Sequence, residues 1–326
     1  MPLVLNRAEV ESLLSMEQAI EAVEEAFREH HAGRVDMPVR VGVKVPEQDA
    51  VVLYMPAYIG GMKALGAKIV SVYPHNPARY KKPLIMATVL LNDAETGEIL
   101  SIMDGTYLTA MRTGAVSGAA SKYMARREAS TVGIFGAGAQ GRTQLLALCA
   151  VRKIRRAIVY DISPEASHAF AKEMEARLGI EVIPASEPRQ AAENVDIISC
   201  ATTSPTPVFE DEWLAEGTHI NGVGSYTPEM QEIPPATVSR ARVVVDVREA
   251  ALKEAGDLII PLDGGLITAD HIYAELGEIV SGKPGRLNPK EITFFKSVGQ
   301  AIQDVSTALK VYRLAKERGV GRDVAL

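Results

Sequence analysis

Residues 130–142 read STVGIFGAGAQGR, a short apolar run followed by three closely spaced glycines. The apolar run Val132–Phe135 predicts a buried strand, and the apolar residues after the glycines predict a helix. Gly136, Gly138 and Gly141 form the pattern G-x-G-x-x-G between the two elements. The first glycine of this pattern permits a tight turn, the second lets a pyrophosphate approach the backbone, and the third lets the helix pack on the strand. The stretch therefore predicts a dinucleotide-binding unit, with phosphate at the helix N-terminus.

A second apolar run ends in an acidic residue at the spacing that this unit requires. Ala157–Tyr160 predicts the next strand, and Asp161 follows it, about twenty residues after Gly141. In dinucleotide-binding folds an acidic residue at this spacing forms a hydrogen bond to the adenosine ribose. Because a carboxylate there repels the 2′-phosphate of NADP, we expect NAD(H) to be preferred over NADP(H).

The composition is that of an ordinary globular protein long enough for two domains. The chain has 326 residues, of which 47% are hydrophobic and 23% are charged. Its formal net charge of -6 argues against nucleic acid and anionic membranes as partners. No apolar run is long enough to cross a bilayer, and the first residues lack a cationic segment followed by a long apolar one. We therefore expect a cytoplasmic protein with no membrane partner.

Cysteine and histidine patterns predict neither a disulfide framework nor a metal site. Cys149 falls in a predicted helix and Cys200 in a predicted strand, where both read as small buried hydrophobes in a reducing compartment. The six histidines are scattered, without an H-E-x-x-H motif or a Cys/His cluster, so we expect no metal. The chain also lacks the P-loop of nucleotide triphosphatases and the G-x-S-x-G nucleophile turn.

The first 120 residues predict an α+β domain. Capping boxes at Asn6–Glu9 and Ser15–Gln18 predict two helix starts, and the second helix ends near Gly33. Five strands then follow without intervening helices, which favours a mainly antiparallel sheet. The predicted strands are 39–45, 51–55, 65–73, 85–91 and 99–103. The first of these alternates apolar and polar residues and is expected to be half-buried.

From residue 130 strands and helices alternate, which predicts a parallel sheet with helices on both faces. A helix of small residues, 109–125, precedes this region. The predicted strands of the sheet are 132–135, 157–160, 181–183, 197–201, 218–223 and 243–246. Near the end, Asn288–Glu291 reads as a turn that enters a helix, and an amphipathic helix runs from Val298 to a stop at Gly319.

Three basic residues of the first half stand out from their surroundings. Arg40 lies among valines, Lys68 lies in an apolar strand, and Arg112 lies among small residues. A bidentate arginine suits a substrate carboxylate, and a lysine that is desolvated near guanidinium groups has a lowered pKa. Such a lysine exchanges protons near neutral pH. The alternative is ordinary ion pairing, and the spacing alone does not bring the three residues together.

Five segments carry a family resemblance when they are taken together. They are Met37–Arg40, Leu65–Ser71, Leu108–Ala115, Gly136–Gln144 and Lys296–Asp304. In these segments the chain resembles the ornithine cyclodeaminase/mu-crystallin family, from about residue 5 to about residue 320.

The resemblance implies a homodimer with an α/β fold in two domains. Residues 1–120, completed by 298–326, would form an α+β domain that binds substrate and makes the subunit interface. Residues 121–297 would form a Rossmann-type domain, a doubly wound parallel sheet that binds the nicotinamide cofactor.

Matching the motifs residue by residue implies the site. Arg40, Lys68 and Arg112 fall at substrate-binding positions and are the candidate catalytic residues. Ser297 and Val298 fall where the family closes the pocket around nicotinamide and substrate, so Val298 joins the substrate-binding set. Together with the glycines of the loop, the candidate cofactor-binding residues are Arg112, Thr113, Gly136, Gly138, Ala139, Gln140, Gly141, Asp161, Thr202, Val223, Gly224 and Ser297.

One position departs from the family pattern. In the cyclodeaminases an aspartate after the Asn-x-Val-Gly turn accepts a proton during ornithine cyclisation, and here Tyr226 occupies that position. A phenol with a pKa of about 10 does not replace a carboxylate as a base at neutral pH. Glu229 is close in sequence, but the sequence does not place its side chain. Ornithine cyclodeaminase, which forms proline and ammonia, is therefore a less favoured alternative.

Together with the residues above, the resemblance implies an NAD(H)-dependent oxidoreductase that acts on the C–N bond of a small amino or imino acid. The favoured activity is that of a ketimine reductase of the Δ1-pyrroline-2-carboxylate type. Arg40 and Arg112 would hold the carboxylate, and Lys68 would hydrogen-bond it or protonate the imine nitrogen. Alanine dehydrogenase is a second alternative. A non-catalytic, mu-crystallin-like binding protein is a third, although a binder needs fewer of these features.

Overall fold

The computed structural model describes residues 1–325, which divide into two compact units. Unit 1 comprises Met1–Arg112 and the chain from Gln300 onward, and unit 2 comprises Thr113–Gly299. The division falls inside one continuous helix, Gly105–Met124. The sequence pattern, which changes after this helix, places the boundary near residue 120 instead.

Strands and helices are numbered in chain order. The strands are β1 (Leu3–Leu5), β2 (Val35–Asp36), β3 (Val41–Val45), β4 (Ala50–Ile59), β5 (Ala64–Val72), β6 (Ile85–Asp93), β7 (Ile99–Asp104), β8 (Thr131–Phe135), β9 (Arg156–Tyr160), β10 (Glu181–Pro184), β11 (Ile197–Cys200), β12 (His219–Gly222), β13 (Arg242–Val245), β14 (Ile272–Glu275), β15 (Thr293–Lys296) and β16 (Arg322–Asp323). The α-helices are α1 (Arg7–Leu13), α2 (Met16–His31), α3 (Asn76–Tyr80), α4 (Gly105–Met124), α5 (Ala139–Val151), α6 (Pro164–Leu178), α7 (Pro188–Ala192), α8 (Pro235–Arg240), α9 (Arg248–Glu254), α10 (Gly256–Asp263), α11 (Leu276–Val280) and α12 (Ala301–Arg318).

Unit 1 is a sheet covered by helices. Its strand order is β16-β1-β7-β6-β5-β4-β2, with β3 paired to β4. Every pair is antiparallel except β1 with β7, so the mainly antiparallel prediction is confirmed. Helix α12 packs on β4, β5 and β6 and against α2. Both predicted capping boxes form, at Asn6 and Ser15. Helix α12 ends at Gly319, which has a positive φ of 64°.

Unit 2 is a doubly wound parallel sheet, as the alternating pattern predicts. The strand order is β10-β9-β8-β11-β12-β15-β13-β14, and all pairs are parallel. Alternate side chains of the strands enter two apolar cores. One core joins Ile134 to Leu145 and Phe170, and the other joins Phe135 to Phe294. The Rossmann-type prediction is therefore confirmed.

Three predicted elements differ in the structure. The segment after Asn288–Glu291 is strand β15 and not a helix, because its β-branched and aromatic residues insert between β12 and β13. Helix α12 begins at Ala301 and not at Val298. Strand β3 is not half-buried, because among residues 1–325 it pairs only with β4: Val41 is 60% exposed and Val43 is 50% exposed.

Candidate functional site

Lys68 is buried in unit 1 on the side of the sheet that α12 covers. Along β5 alternate residues are buried, and Lys68 occupies one of these positions with 1% of its surface exposed. Its Nζ lies 2.8 Å from Oδ2 of Asp304, in the first turn of α12. A buried ammonium group requires a counter-charge of this kind.

Arg112 reaches the other oxygen of the same carboxylate. Its Nε donates to Asp304 Oδ1 at 2.9 Å, and one terminal nitrogen donates to Gln303 Oε1 at 2.8 Å. Asp304 therefore bridges Lys68 and Arg112, and we call these three residues the cationic cluster. With Lys68 protonated, two cations face one anion, which leaves an excess of positive charge in a buried place.

In this environment the pKa of Lys68 is lowered to about 7, far below its usual value of 10.5. Burial is the largest cause, and the charge of Arg112 adds to it, whereas Asp304 opposes both. The charge of Arg40 lowers the same pKa further, so Arg40 also lies within electrostatic reach of Lys68. Ammonium and amine forms are thus both populated near neutral pH. The structure joins Lys68 to Arg112 through Asp304, and the charge of Arg40 acts on Lys68 as well.

Asp304 has no role that the sequence alone predicts, although it lies in a segment that carries the resemblance. The apolar stripe of α12 implies that its remaining positions face solvent. In the structure the first half of α12 is buried all round, including Gln303, Asp304 and Thr307. The sequence does contain one sign of this burial. The polar residues in the first half of α12 are mostly amides and small hydroxyls, whereas helix faces exposed to solvent usually carry Lys and Glu.

In unit 2 the predicted cofactor residues lie along one edge of the sheet. Strands β9, β8, β11, β12 and β15 are consecutive neighbours, and all point the same way. The residues at or just beyond their carboxyl ends are Asp161, Gly136, Thr202, Val223 and Ser297 respectively. The order of the strands reverses between β8 and β11, which is where open α/β sheets bind ligands.

The glycine loop has the geometry that a dinucleotide needs. Gly136 has a φ of 98°, and a Cβ there would lie 2.6 Å from the carbonyl oxygen of Ala201. A Cβ on Gly141 would lie 2.0 Å from the carbonyl oxygen of Gly136. Gly138 is exposed, and a Cβ there would meet nothing within 4 Å. The loop is therefore open to a ligand at Gly138, where α5 begins.

Asp161 faces this loop. Its Oδ2 accepts the backbone N–H of Ala137 at 2.8 Å, and its Oδ1 accepts the N–H of Ser163 at 3.0 Å. In α5 the Oε1 atom of Gln140 is buried and accepts no hydrogen bond from residues 1–325. Such an acceptor suits a ligand donor. These features fit the ribose and phosphate groups of a dinucleotide.

Two further carboxylates hold the loops at this edge, and the sequence analysis missed both. Glu232 accepts hydrogen bonds from Thr202 and from the N–H of Gly224. Asp246, just after β13, accepts the hydroxyl of Ser297 at 2.8 Å and the N–H of Val298 at 2.9 Å. Asp246 directly follows a buried strand, which is the signal that identified Asp161, whereas Glu232 lies ten residues beyond β12 and has no such signal.

The remaining named residues lie as follows. The carbonyl oxygen of Thr113 accepts a hydrogen bond from Gln144 Nε2 at 3.1 Å, which ties α4 to α5. Ala139 and Glu229 are exposed. Tyr226 is half-buried, and burial raises the pKa of its phenol, which therefore stays protonated at neutral pH. Within residues 1–325 no cluster of His, Cys, Asp and Glu could hold a metal, and no helix could span a membrane.

A parallel sheet with a glycine loop and an acidic strand end defines a Rossmann-type dinucleotide-binding protein, here with an α+β unit that carries buried basic residues. The profile of the ornithine cyclodeaminase/mu-crystallin family matches residues 1–319. The chain belongs to this family.

Its relatives include enzymes that act on imino and amino acids. A Bacillus cereus Delta(1)-pyrroline-2-carboxylate reductase is 42% identical over 324 residues, 99% of each chain. The structure of Thermococcus litoralis Delta(1)-pyrroline-2-carboxylate reductase, in complex with NADH and L-proline, is 48% identical, with a TM-score of 0.96 over 99% of this chain and 100% of that one. An archaeal alanine dehydrogenase dimer with bound NAD is 39% identical, with a TM-score of 0.93 over 99% of each chain.

Proposed function

We propose that the protein is an NAD(H)-dependent ketimine reductase that converts Δ1-pyrroline-2-carboxylate to L-proline. The buried cationic cluster carries the proposal, because it combines a paired arginine with a lysine whose pKa is about 7. The reaction needs a cation for the carboxylate and a proton donor for the imine nitrogen near neutral pH. The reductases of B. cereus and T. litoralis support this choice of substrate.

In the proposed mechanism Arg40 and Arg112 bind the substrate carboxylate. Asp304 and Gln303 hold the guanidinium of Arg112 in one orientation. Lys68 gives a proton from Nζ to the imine nitrogen while a hydride adds to the neighbouring carbon, so that C=N becomes CH–NH. Bound NADH supplies the hydride. Burial and the neighbouring guanidinium groups favour proton loss from Lys68, and Asp304 restrains it.

The proposed cofactor-binding residues are those at the carboxyl edge of the unit 2 sheet. The bound NADH and NAD of the two similar structures support them. They are Gly136, Gly138, Ala139, Gln140, Gly141, Asp161, Thr202, Val223, Gly224 and Ser297, with Arg112 and Thr113 in α4. We propose that NAD(H) is preferred over NADP(H), since the Asp161 carboxylate would repel a 2′-phosphate.

We also propose a homodimer and a cytoplasmic location. Val41 and Tyr54, which pair across β3 and β4, are 60% and 44% exposed, as a subunit interface would require. The archaeal alanine dehydrogenase is a dimer, which supports the assembly. Sedimentation of the wild type and of Val41→Lys tests it: a dimer should become a monomer. The thiols of Cys149 and Cys200 are free, as in a reducing compartment.

Substrate specificity is tested by following NADH oxidation and ammonia together. Δ1-pyrroline-2-carboxylate alone should oxidise NADH and give proline. Alanine dehydrogenase, the second candidate because of the similar archaeal structure, would instead consume pyruvate, ammonium and NADH. Ornithine cyclodeaminase would release ammonia without net NADH oxidation, and Tyr226 in place of a carboxylate disfavours it. NADH binding with neither NADH oxidation nor ammonia release in any of these assays would leave a non-catalytic binding protein.

A further inference from the structure

Glu232 is a fully buried carboxylate between two loops of unit 2. Its Oε1 accepts the backbone N–H of Thr202 at 2.6 Å and the Thr202 hydroxyl at 2.8 Å. Its Oε2 accepts the N–H groups of Gly224 at 2.7 Å and Ser225 at 3.1 Å. One side chain thus joins the segment after β11 to the segment after β12.

A second buried carboxylate fixes the backbone from which Glu232 projects. Asp257 Oδ1 accepts the N–H groups of Glu232 at 2.6 Å and Ile233 at 3.0 Å. Asp257 Oδ2 lies 2.8 Å from Nζ of Lys296, the last residue of β15. All three charged side chains have no exposed surface. Glu232 is therefore anchored through its backbone N–H as well as bonded through its side chain.

The two loops also touch directly. A Cβ on Gly224 would lie 2.0 Å from the carbonyl oxygen of Thr202. Burying a carboxylate merely to join two segments is costly, since apolar packing would do the same without desolvating a charge. A buried carboxylate that accepts four directed hydrogen bonds instead fixes the orientation of each peptide group that it contacts.

We propose that Glu232 is a positioning residue of the cofactor site, which holds the Thr202 and Gly224 segments in the arrangement that binds NADH. This inference rests on the proposed function, in which both segments contact the cofactor. Glu232 acts through these segments and does not itself touch the cofactor or the substrate.

From this arrangement we expect NADH affinity to depend on pH. Burial raises the pKa of Glu232 to about 6, Asp257 raises it as well, and Lys296 lowers it. The thiol of Cys200 also faces these three groups, and burial raises its pKa well above its usual value, so it stays neutral. When Glu232 binds a proton, one of its two oxygens becomes an O–H group and no longer accepts well from the N–H donors that face it. The loops should therefore loosen as the pH falls below about 6.

The test is direct NADH binding, by fluorescence titration, to the wild type, to Glu232→Gln and to the matched control Glu249→Gln. Glu249 is exposed in the same unit, so its variant loses the same charge without losing these contacts. In either orientation the amide of Glu232→Gln places its NH2 group against backbone N–H donors, those of Thr202 or those of Gly224 and Ser225. We expect NADH to bind roughly 10- to 100-fold more weakly, with kcat at saturating NADH and the KM for the imine nearly unchanged. The control should bind as the wild type does.

The outcomes separate this inference from the proposed function. Wild-type affinity should fall as the pH is lowered through about 6, and the Glu232→Gln variant should lack that dependence. A folded Glu232→Gln protein with wild-type NADH affinity would overturn the inference and leave the reductase proposal intact. A wild type that binds no NADH would overturn both. If the variant does not fold, the wild-type titration decides alone, and an affinity that does not change through pH 6 overturns the inference.

Discussion

The replacement Asp304→Asn separates the proton donor from its counter-charge. Asp304 Oδ2 lies 2.8 Å from Lys68 Nζ, and at an effective dielectric constant of about 20 such a pair attracts by roughly 6 kcal/mol. The net effect is smaller, because Asp304 also pairs with Arg112 and an amide retains a dipole. An opposite charge at this range typically changes a pKa by about 1–3 units. The pKa of Lys68, about 7 in the wild type, should therefore fall by about that amount.

The ratio of wild-type to variant kcat/KM measures this change. Comparing the two proteins on Δ1-pyrroline-2-carboxylate with NADH cancels the ionisation of the substrate itself. Since the protonated lysine is the active form, the ratio should approach a plateau of roughly 10–1000 above pH 8 and decrease as the pH is lowered. Rates are measured between about pH 5 and pH 9. In the wild type, the plot of log kcat/KM against pH should change slope at about pH 7, the pKa of Lys68.

A control in the same helix tests whether the effect is local. Glu317→Gln removes an exposed negative charge from α12 and should give a ratio near one at every pH. NADH binding and circular dichroism check that Asp304→Asn is folded. A ratio that does not change with pH would refute the reasoning, as would a variant whose break lies at higher pH, because Asp304 would then not stabilise the ammonium form of Lys68.

Three further predictions concern single residues. Lys68→Met should lower kcat by about 10²–10⁴-fold with NADH affinity intact, and a loss under about threefold would remove Lys68 as the acid. The wild type should bind NADH at least about tenfold more tightly than NADPH, and Asp161→Ser should narrow that gap; equal dissociation constants in the wild type would contradict the role of Asp161. Gly136→Ala should lower Tm by several degrees or prevent folding, because of the φ of 98° and the contact with Ala201. Gly138→Ala should leave Tm nearly unchanged, because a Cβ there has open space, but it should weaken NADH binding. Equal losses of Tm in Gly136→Ala and Gly138→Ala would contradict the prediction that only Gly136 is required for the fold.

Local patterns predicted much of the fold because their causes are local. The glycine spacing of residues 136–141 reports contacts between near neighbours, and the structure shows these as the close approach of Gly141 to Gly136. The capping boxes at Asn6 and Ser15 close within a single helical turn. The prediction of a helix after Asn288–Glu291 is wrong because these residues resemble the start of a helix. The residues that follow form strand β15 because they pair with β12 and β13, which the local sequence does not reveal.

The residues that the sequence analysis missed act over long distances in the chain. Asp304 meets Lys68 and Arg112 only because α12 packs on the sheet of unit 1. Glu232 accepts a hydrogen bond from Thr202, thirty residues earlier in the chain, with strand β12 between them in the sequence. No periodicity within one helix or strand encodes such pairs. Burial of a polar residue is their common mark, and burial depends on the tertiary structure.

The position of α12 in the chain has a consequence for synthesis on the ribosome. Lys68 and Arg112 are translated early, whereas Asp304, which balances their charge, follows the whole of unit 2. Unit 2 is one continuous segment and can fold as soon as it emerges, since domains generally fold as units. Unit 1 cannot complete its core until α12 has been synthesised, and until then Lys68 and Arg112 lack the carboxylate of Asp304. A stalled chain that ends before Gln300 should therefore contain a folded unit 2, while its residues 1–112 remain unfolded and sensitive to protease.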